Sequence, residues 1–166
     1  MAELLHTFRI AGTENDVEDI LHIAILAEGY QQNEASLFLQ DVRRLVHECI
    51  FDDGAAFSSL AAFFAVHAIM VPSKDSGVLQ EVENADDSPQ LRGAKAARQR
   101  HSTAFSLRCE DGPLRTVAPP GSGLKAYGKA KRICSELAPK CDHILLMAQD
   151  EWWVLKMFYV LPHGIH

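Results

Sequence analysis

A chain of 166 residues is enough for one ordinary domain, and 48% hydrophobic with 23% charged residues is the composition of a globular protein with a sizeable core. A formal net charge of -6 argues against wrapping nucleic acid, which needs a basic footprint, and the one cationic stretch, Arg92 to Arg100, is short. The spacings of Cys49, Cys109, Cys134 and Cys141 match neither CxxC nor a disulfide framework. Buried or free thiols are therefore expected, with a Cys134–Cys141 bridge as the alternative in a secreted chain.

Residues 1–19 read as a lead-in. Met1 to Phe8 is too short and too mixed for a signal segment, so the chain as written is expected in the cytosol. Ile20 to Ala27 is a compact apolar run of strand length, interrupted by His22, and predicts a buried strand. Gly29 breaks it. Asn33 is placed to cap a helix carrying Phe38, Val42, Leu45 and Cys49 on one stripe, ending near Asp52-Asp53-Gly54. Phe57 to Leu60 predicts a helical turn. Phe63 to Val71 predicts a second buried strand, which Pro72 ends.

Lys74 to His101 is polar, without a strong period, and reads as a surface loop. Thr103 to Cys109 predicts a third strand, and Glu110-Asp111-Gly112-Pro113 a turn that returns Leu114 to Val117 as a hairpin partner. Leu124 to Leu137 predicts a second helix with Leu124, Tyr127, Ala130, Ile133 and Leu137 inward. Lys129, Lys131 and Arg132 are expected on its wet face. His143 to Ala148 predicts a last buried strand. Trp152 to Leu161 is apolar apart from Lys156 and too short to cross a bilayer. The sum is an α/β layered domain with a mixed sheet of about four to five strands and at least two long helices.

The chemical signals are weak when read residue by residue. One glycine after a strand, with no lysine and no GxGxxG, is turn geometry rather than a phosphate cradle. His163 and His166 sit at the terminus around Pro and Gly, so they are expected to hold no metal. His22, His67 and His143 read as satisfied strand histidines. Asp150 and Glu151 are adjacent on an extended chain and point apart. No GxSxG surrounds Ser73, Ser76 or Ser102, and "PSKDSG" from Pro72 reads as a turn with Asx and Ser hydrogen bonds.

Four segments in order carry a resemblance: "ILAEGYQQNEASLFLQDV", "FFAVHAIMVPSKDSG", "HSTAFSLRCEDGPLR" and "DHILLMAQDEWW". Together they resemble the IgA-peptidase-like zinc metallopeptidases, over residues 20–153, with residues 154–166 a divergent apolar tail. The motif positions are Glu28, Gly29, Tyr30, Ser73, Ser76, Gly77, Thr103, Phe105, Arg115 and Asp150, with no role assigned to any.

The resemblance implies an α/β fold and a secreted endopeptidase. In it a His-Glu-x-x-His helix and a later ligand hold one zinc, and the Glu activates the metal-bound water. No His-Glu-x-x-His occurs in this chain. "VLKMFYVLPHGIH" stands where the family has a glycine-rich segment, Ser102 where it favours Asp, and Gln149 where it favours Asn. No metal ligand or base carries over. The expectation is an incomplete relative, inactive alone and binding no cofactor, whose tail folds over a bare sheet face or docks a protein partner or a second copy. The rivals are a non-catalytic binding module using that tail, and a small enzyme using Asp150 or Glu151.

Overall fold

The computed structural model describes residues 6–11, 20–52, 54, 57–81, 102–110, 116–118, 123–149 and 156–162. Its centre is a five-stranded sheet. The central strand, β2, is Leu21–Glu28. It runs parallel to Phe64–Met70, called β3, on one side and to His143–Ala148 on the other. All three are near-continuous apolar runs, as strands covered on both faces must be. His6–Ala11, β1, pairs antiparallel with β3 at one edge. Lys156–Pro162 pairs antiparallel with His143–Ala148 at the other. Both flanks of the 20–153 block thus add edge strands to the same sheet.

The tail expected to fold over a sheet face instead extends the sheet edge through Lys156–Pro162. The reason is geometric: both faces are already taken by helices, and the edge of His143–Ala148 offers free backbone donors and acceptors. Three short strands form a second sheet. They are β4 (Leu79–Glu81), parallel to β5 (Arg108–Glu110), which is antiparallel to β6 (Thr116–Ala118). In chain order His143–Ala148 is β7 and Lys156–Pro162 is β8.

The first helix, α1 (Ala35–Arg44), packs Phe38 and Val42 against Ile25, Ala27, Val66, Ala68, Met70, Leu145 and Met147. Burying each such side chain contributes about 1.5–3 kcal/mol. Asn33 is not its cap: it lies inside a single 3-10 turn at Gln32–Glu34 that precedes the helix, and the Gln31 N–H donates to Glu34 Oε2 at 2.7 Å. The helix then widens to a π-turn over Leu45–Ile50, closed by Phe51 N–H on Val46 O at 2.9 Å. The wider turn brings Leu45 and Val46 inward and leaves Cys49 exposed, so the expected stripe breaks at its last residue.

The second helix, α2 (Leu124–Leu137), covers the opposite face. Ala126, Ala130, Ile133 and Cys134 meet Ala24, Leu26, Ile69, Val71, Ile144, Leu146 and Ala148. Leu124, expected inward, is 70% exposed because the face of the helix turned to the sheet begins at Ala126. Lys129, expected in solvent, is half-buried: its Nζ donates to Ala104 O at 3.0 Å and sits 5.4 Å from the Phe105 ring centre. Cys49, Cys134 and Cys141 are free. Among the described residues no helix is long and apolar enough to cross a membrane.

The predicted strand at Thr103 to Cys109 is corrected. Only Arg108–Glu110 is a strand, and it belongs to the second sheet. Thr103 to Leu107 is a loop, broken by Ser106 at φ 57, and the N–H groups of Ala104, Phe105 and Leu107 go to side chains rather than to a ladder.

Candidate functional site at the carboxyl edge of the sheet

Because β2, β3 and β7 are parallel, their carboxyl ends open on one edge. The chain goes from β2 to a neighbour on one side and later returns on the other, so this edge is a topological switch point, where α/β sheets bind ligands. Four segments meet there: residues 29–34 after β2, 71–78 after β3, 102–107, and Gln149 after β7.

Glu28 ends β2 with no exposure at all. Its Oε1 accepts hydrogen bonds from Thr103 Oγ1 and, at 2.7 Å, from the Leu107 N–H. Its Oε2 accepts the Phe105 N–H at 2.7 Å. Burial pushes this carboxyl above its ordinary range, against the pull of those three donors and of Lys129. The carboxylate does for the 103–107 loop what a neighbouring strand would do: it satisfies buried backbone donors.

Gly29 takes φ 77, and its N–H donates to Ser73 Oγ at 3.0 Å while its O accepts the Gly77 N–H at 2.7 Å. A Cβ here would stand 2.7 Å from the Gly77 C and O atoms, so the two loops touch backbone to backbone. Ser73, buried, also accepts the Ala104 N–H at 2.9 Å and donates its own N–H to Tyr30 O at 2.8 Å. One hydroxyl oxygen thereby fastens three segments.

The outer layer is more exposed. Gln149 Oε1 accepts the Gly77 N–H at 3.0 Å and lies 2.9 Å from Ser76 Oγ, which is also 2.8 Å from Glu34 Oε1. The single Ser76 proton serves one acceptor at a time. Burial opposes ionisation of Glu34, but the Gln31 N–H, Ser76 and Gln149 hold its carboxyl below the usual range. Asp75 Oδ2 accepts the Ser102 N–H, and Ser102 O accepts from Lys74 and Asp75 at 3.1 Å each. The side chains of Ser73, Asp75 and Ser76 thus bond to distant segments rather than closing the local Asx and Ser turns expected of "PSKDSG".

Tyr30 points inward from the same edge. It is buried against Phe38 at 5.2 Å between ring centres, and its hydroxyl donates to Asp41 Oδ2 at 2.9 Å. Burial, then the Asp41 charge, push the phenol up, and burial raises the Asp41 carboxyl. Tyr30→Phe is expected to remove about 1 kcal/mol of stability, read as a lower urea midpoint with an unchanged slope.

The structure therefore brings together Glu28, Gly29, Tyr30, Ser73, Ser76, Gly77, Thr103 and Phe105. Arg115, Asp150, Glu151, His163 and His166 lie outside the described residues. Glu34, Gln149 and Lys129 join the site without having been singled out for it. The available signal was Glu28 itself, a charge closing an apolar run that must find partners. His143 is not the satisfied histidine expected, since its Nδ1 has no partner among the described residues.

Chemically the edge is a network of the chain's own donors and acceptors. A catalytic zinc takes His and carboxylate ligands and keeps an open position. Here Glu28 and Glu34 each have both oxygens engaged by the chain's own donors, and no imidazole joins them among the edge hydrogen bonds. Among the described residues no three His, Cys, Asp or Glu side chains gather in a way that could hold a metal ion. The edge residues do not fit the zinc that the resemblance implies.

Fold and edge together define the class: a parallel-centred α/β domain, covered on both faces, with loops that meet at the carboxyl ends of the strands. Residues 11–93, half of the chain, match the family described as IgA Peptidase M64, and the chain belongs to that family. The matched segment holds the first two of the four resembling blocks, which supply Glu28, Gly29, Tyr30, Ser73, Ser76 and Gly77 to the edge. No curated protein matches the chain.

Proposed function

We propose that residues 1–166 form the sheet and edge-loop scaffold of a zinc endopeptidase domain of the M64 type, and that this chain by itself hydrolyses no peptide bond. The observation that carries the reading is that the chain's own donors engage the edge carboxylates. In the family the resemblance implies, a metal-bound water is the nucleophile and the metal polarises the scissile carbonyl. This chain has no His-Glu-x-x-His, and the carboxylates at its edge are spent on holding loops. Family membership supports the peptidase relationship. The role left to these residues is to set the loops against which a peptide and a metal-bearing segment would lie.

The test is a proteolysis assay of the purified chain with immunoglobulin A and a denatured general substrate, with and without added zinc. No cleavage above a heat-inactivated control is expected under either condition. Cleavage that a chelator abolishes and zinc restores would overturn the reading.

A further inference from the structure

At the opposite end of β2 from Glu28, two histidines face each other. The register pairs His22 with Ala65 and Ala24 with His67 on adjacent parallel strands, so both imidazoles stand on the α2 side of the sheet. His22 Nδ1 and His67 Nε2 are 3.4 Å apart, the ring planes differ by 12°, and the ring centres are 5.7 Å apart. The excess of the second length over the first is the sum of two ring radii. The rings therefore meet nitrogen to nitrogen, edge on, rather than face to face. Both are half-buried, and the core under α2 begins only at Ala24 and Ile69.

We propose that His22 and His67 form a two-imidazole site for a first-row divalent transition metal such as Zn(II), Ni(II) or Cu(II). Two nitrogens at adjacent corners of a tetrahedral zinc site, each bonded at about 2.0–2.1 Å, stand roughly 3.3–3.4 Å apart. That is the separation already present. Imidazole is a ligand all three ions accept. Both residues sit on central strands held on each side by ladders, so the spacing is built into the sheet. Turning each ring by roughly 35° brings its lone pair from the facing nitrogen onto a shared point about 1.2 Å off the nitrogen–nitrogen line.

The protons balance. Without metal, one facing nitrogen carries a proton and the other accepts it. Metal binding needs both lone pairs, so the donor ring passes that proton through water to its far nitrogen. Both rings stay neutral and no net proton is released. Protonation of either ring competes with the metal. Two charges face the pair. Arg9, exposed on β1 and paired in register with His67, opposes a cation. Asp142, whose Oδ2 accepts the His22 N–H at 2.8 Å, favours one. No third His, Cys, Asp or Glu completes a ligand cluster among the described residues, so water fills the remaining positions.

The experiment is calorimetric titration of the whole chain with nickel chloride and with zinc chloride at pH 7.5 and 5.5. Copper-induced broadening of backbone amide signals locates the site. One metal per chain at pH 7.5, at least tenfold weaker at pH 5.5, is expected, with broadening centred on residues 22–24 and 65–68. His67→Gln and His22→Gln should each weaken binding at least about tenfold while leaving the circular dichroism spectrum unchanged. Arg9→Gln should tighten it. No uptake, or uptake that both histidine variants retain, overturns the site. Proteolysis is a separate readout: cleavage by the zinc-loaded chain that survives His67→Gln would count against the proposed function and leave this site standing.

Discussion

Gly29→Ala is expected to lower stability by about 3–4 kcal/mol, or the melting temperature by about 10 °C for a chain of this length. Two costs combine. A φ of 77 is a left-handed conformation, which costs a residue with a Cβ roughly 1–2 kcal/mol. The new methyl would also meet the Gly77 C and O atoms at 2.7 Å, and neither can step aside as a side chain could. Relief means parting the 29–34 and 71–78 segments and stretching the Gly77 N–H bond to Gly29 O. Gly77→Ala is the matched control. Its φ of 78 carries the same conformational cost, but its Cβ would find nothing within 4 Å, so about 1–2 kcal/mol is expected. Equal losses in the two variants would show that the close approach of the loops carries no weight.

Glu28→Gln should remove about 2–3 kcal/mol at neutral pH, measured by chemical denaturation. Three donors converge on two carboxylate oxygens, and an amide offers one oxygen and one NH2. In either orientation the NH2 faces a backbone N–H, of Phe105 or of Leu107, and that buried donor goes unpaired. The pH dependence has a definite sign. Burial holds the folded-state carboxyl above the 4.5 of an ordinary glutamate, so the folded chain binds the proton more tightly than the unfolded one. The contribution of Glu28 is therefore fullest below pH 4.5 and declines as pH rises from there through the raised folded value. Once protonated, the acid donates to Thr103 Oγ1, which turns from donor to acceptor. The glutamine variant does not titrate. The gap between the two proteins should accordingly be wider at pH 4 than at pH 7. A gap that widened with rising pH would mean that the three hydrogen bonds outweigh desolvation.

Both predictions concern a site whose members were legible but whose meaning was not. The "AEGY" turn stands out because a charge follows the apolar run Ile23 to Ala27. Read one residue at a time it was only the end of a strand. The partners that explain Glu28 lie 75 to 79 residues away, and no periodicity links Phe105 and Leu107 to β2. The same long-range contact explains why Thr103 to Leu107 misleads. Its residues favour a strand, yet side chains take the N–H groups that a ladder would have used. The Cys49 and Leu124 errors have a local cause, since an ideal 3.6-residue period was extended through a π-turn and to a helix end that the sheet does not cover.

The amino-acid order alone determined the buried runs of β2, β3 and β7 and the existence of both long helices. It also made the family recognisable, because these features depend on near neighbours and on hydrophobic period. Only the tertiary structure decided that the tail pairs at an edge, that residues 6–11 join the sheet, that Glu28 anchors a distant loop, and that His22 meets His67. Those outcomes turn on which backbone and side-chain groups remain unsatisfied once the faces of the sheet are covered, and that is a property of the assembled chain.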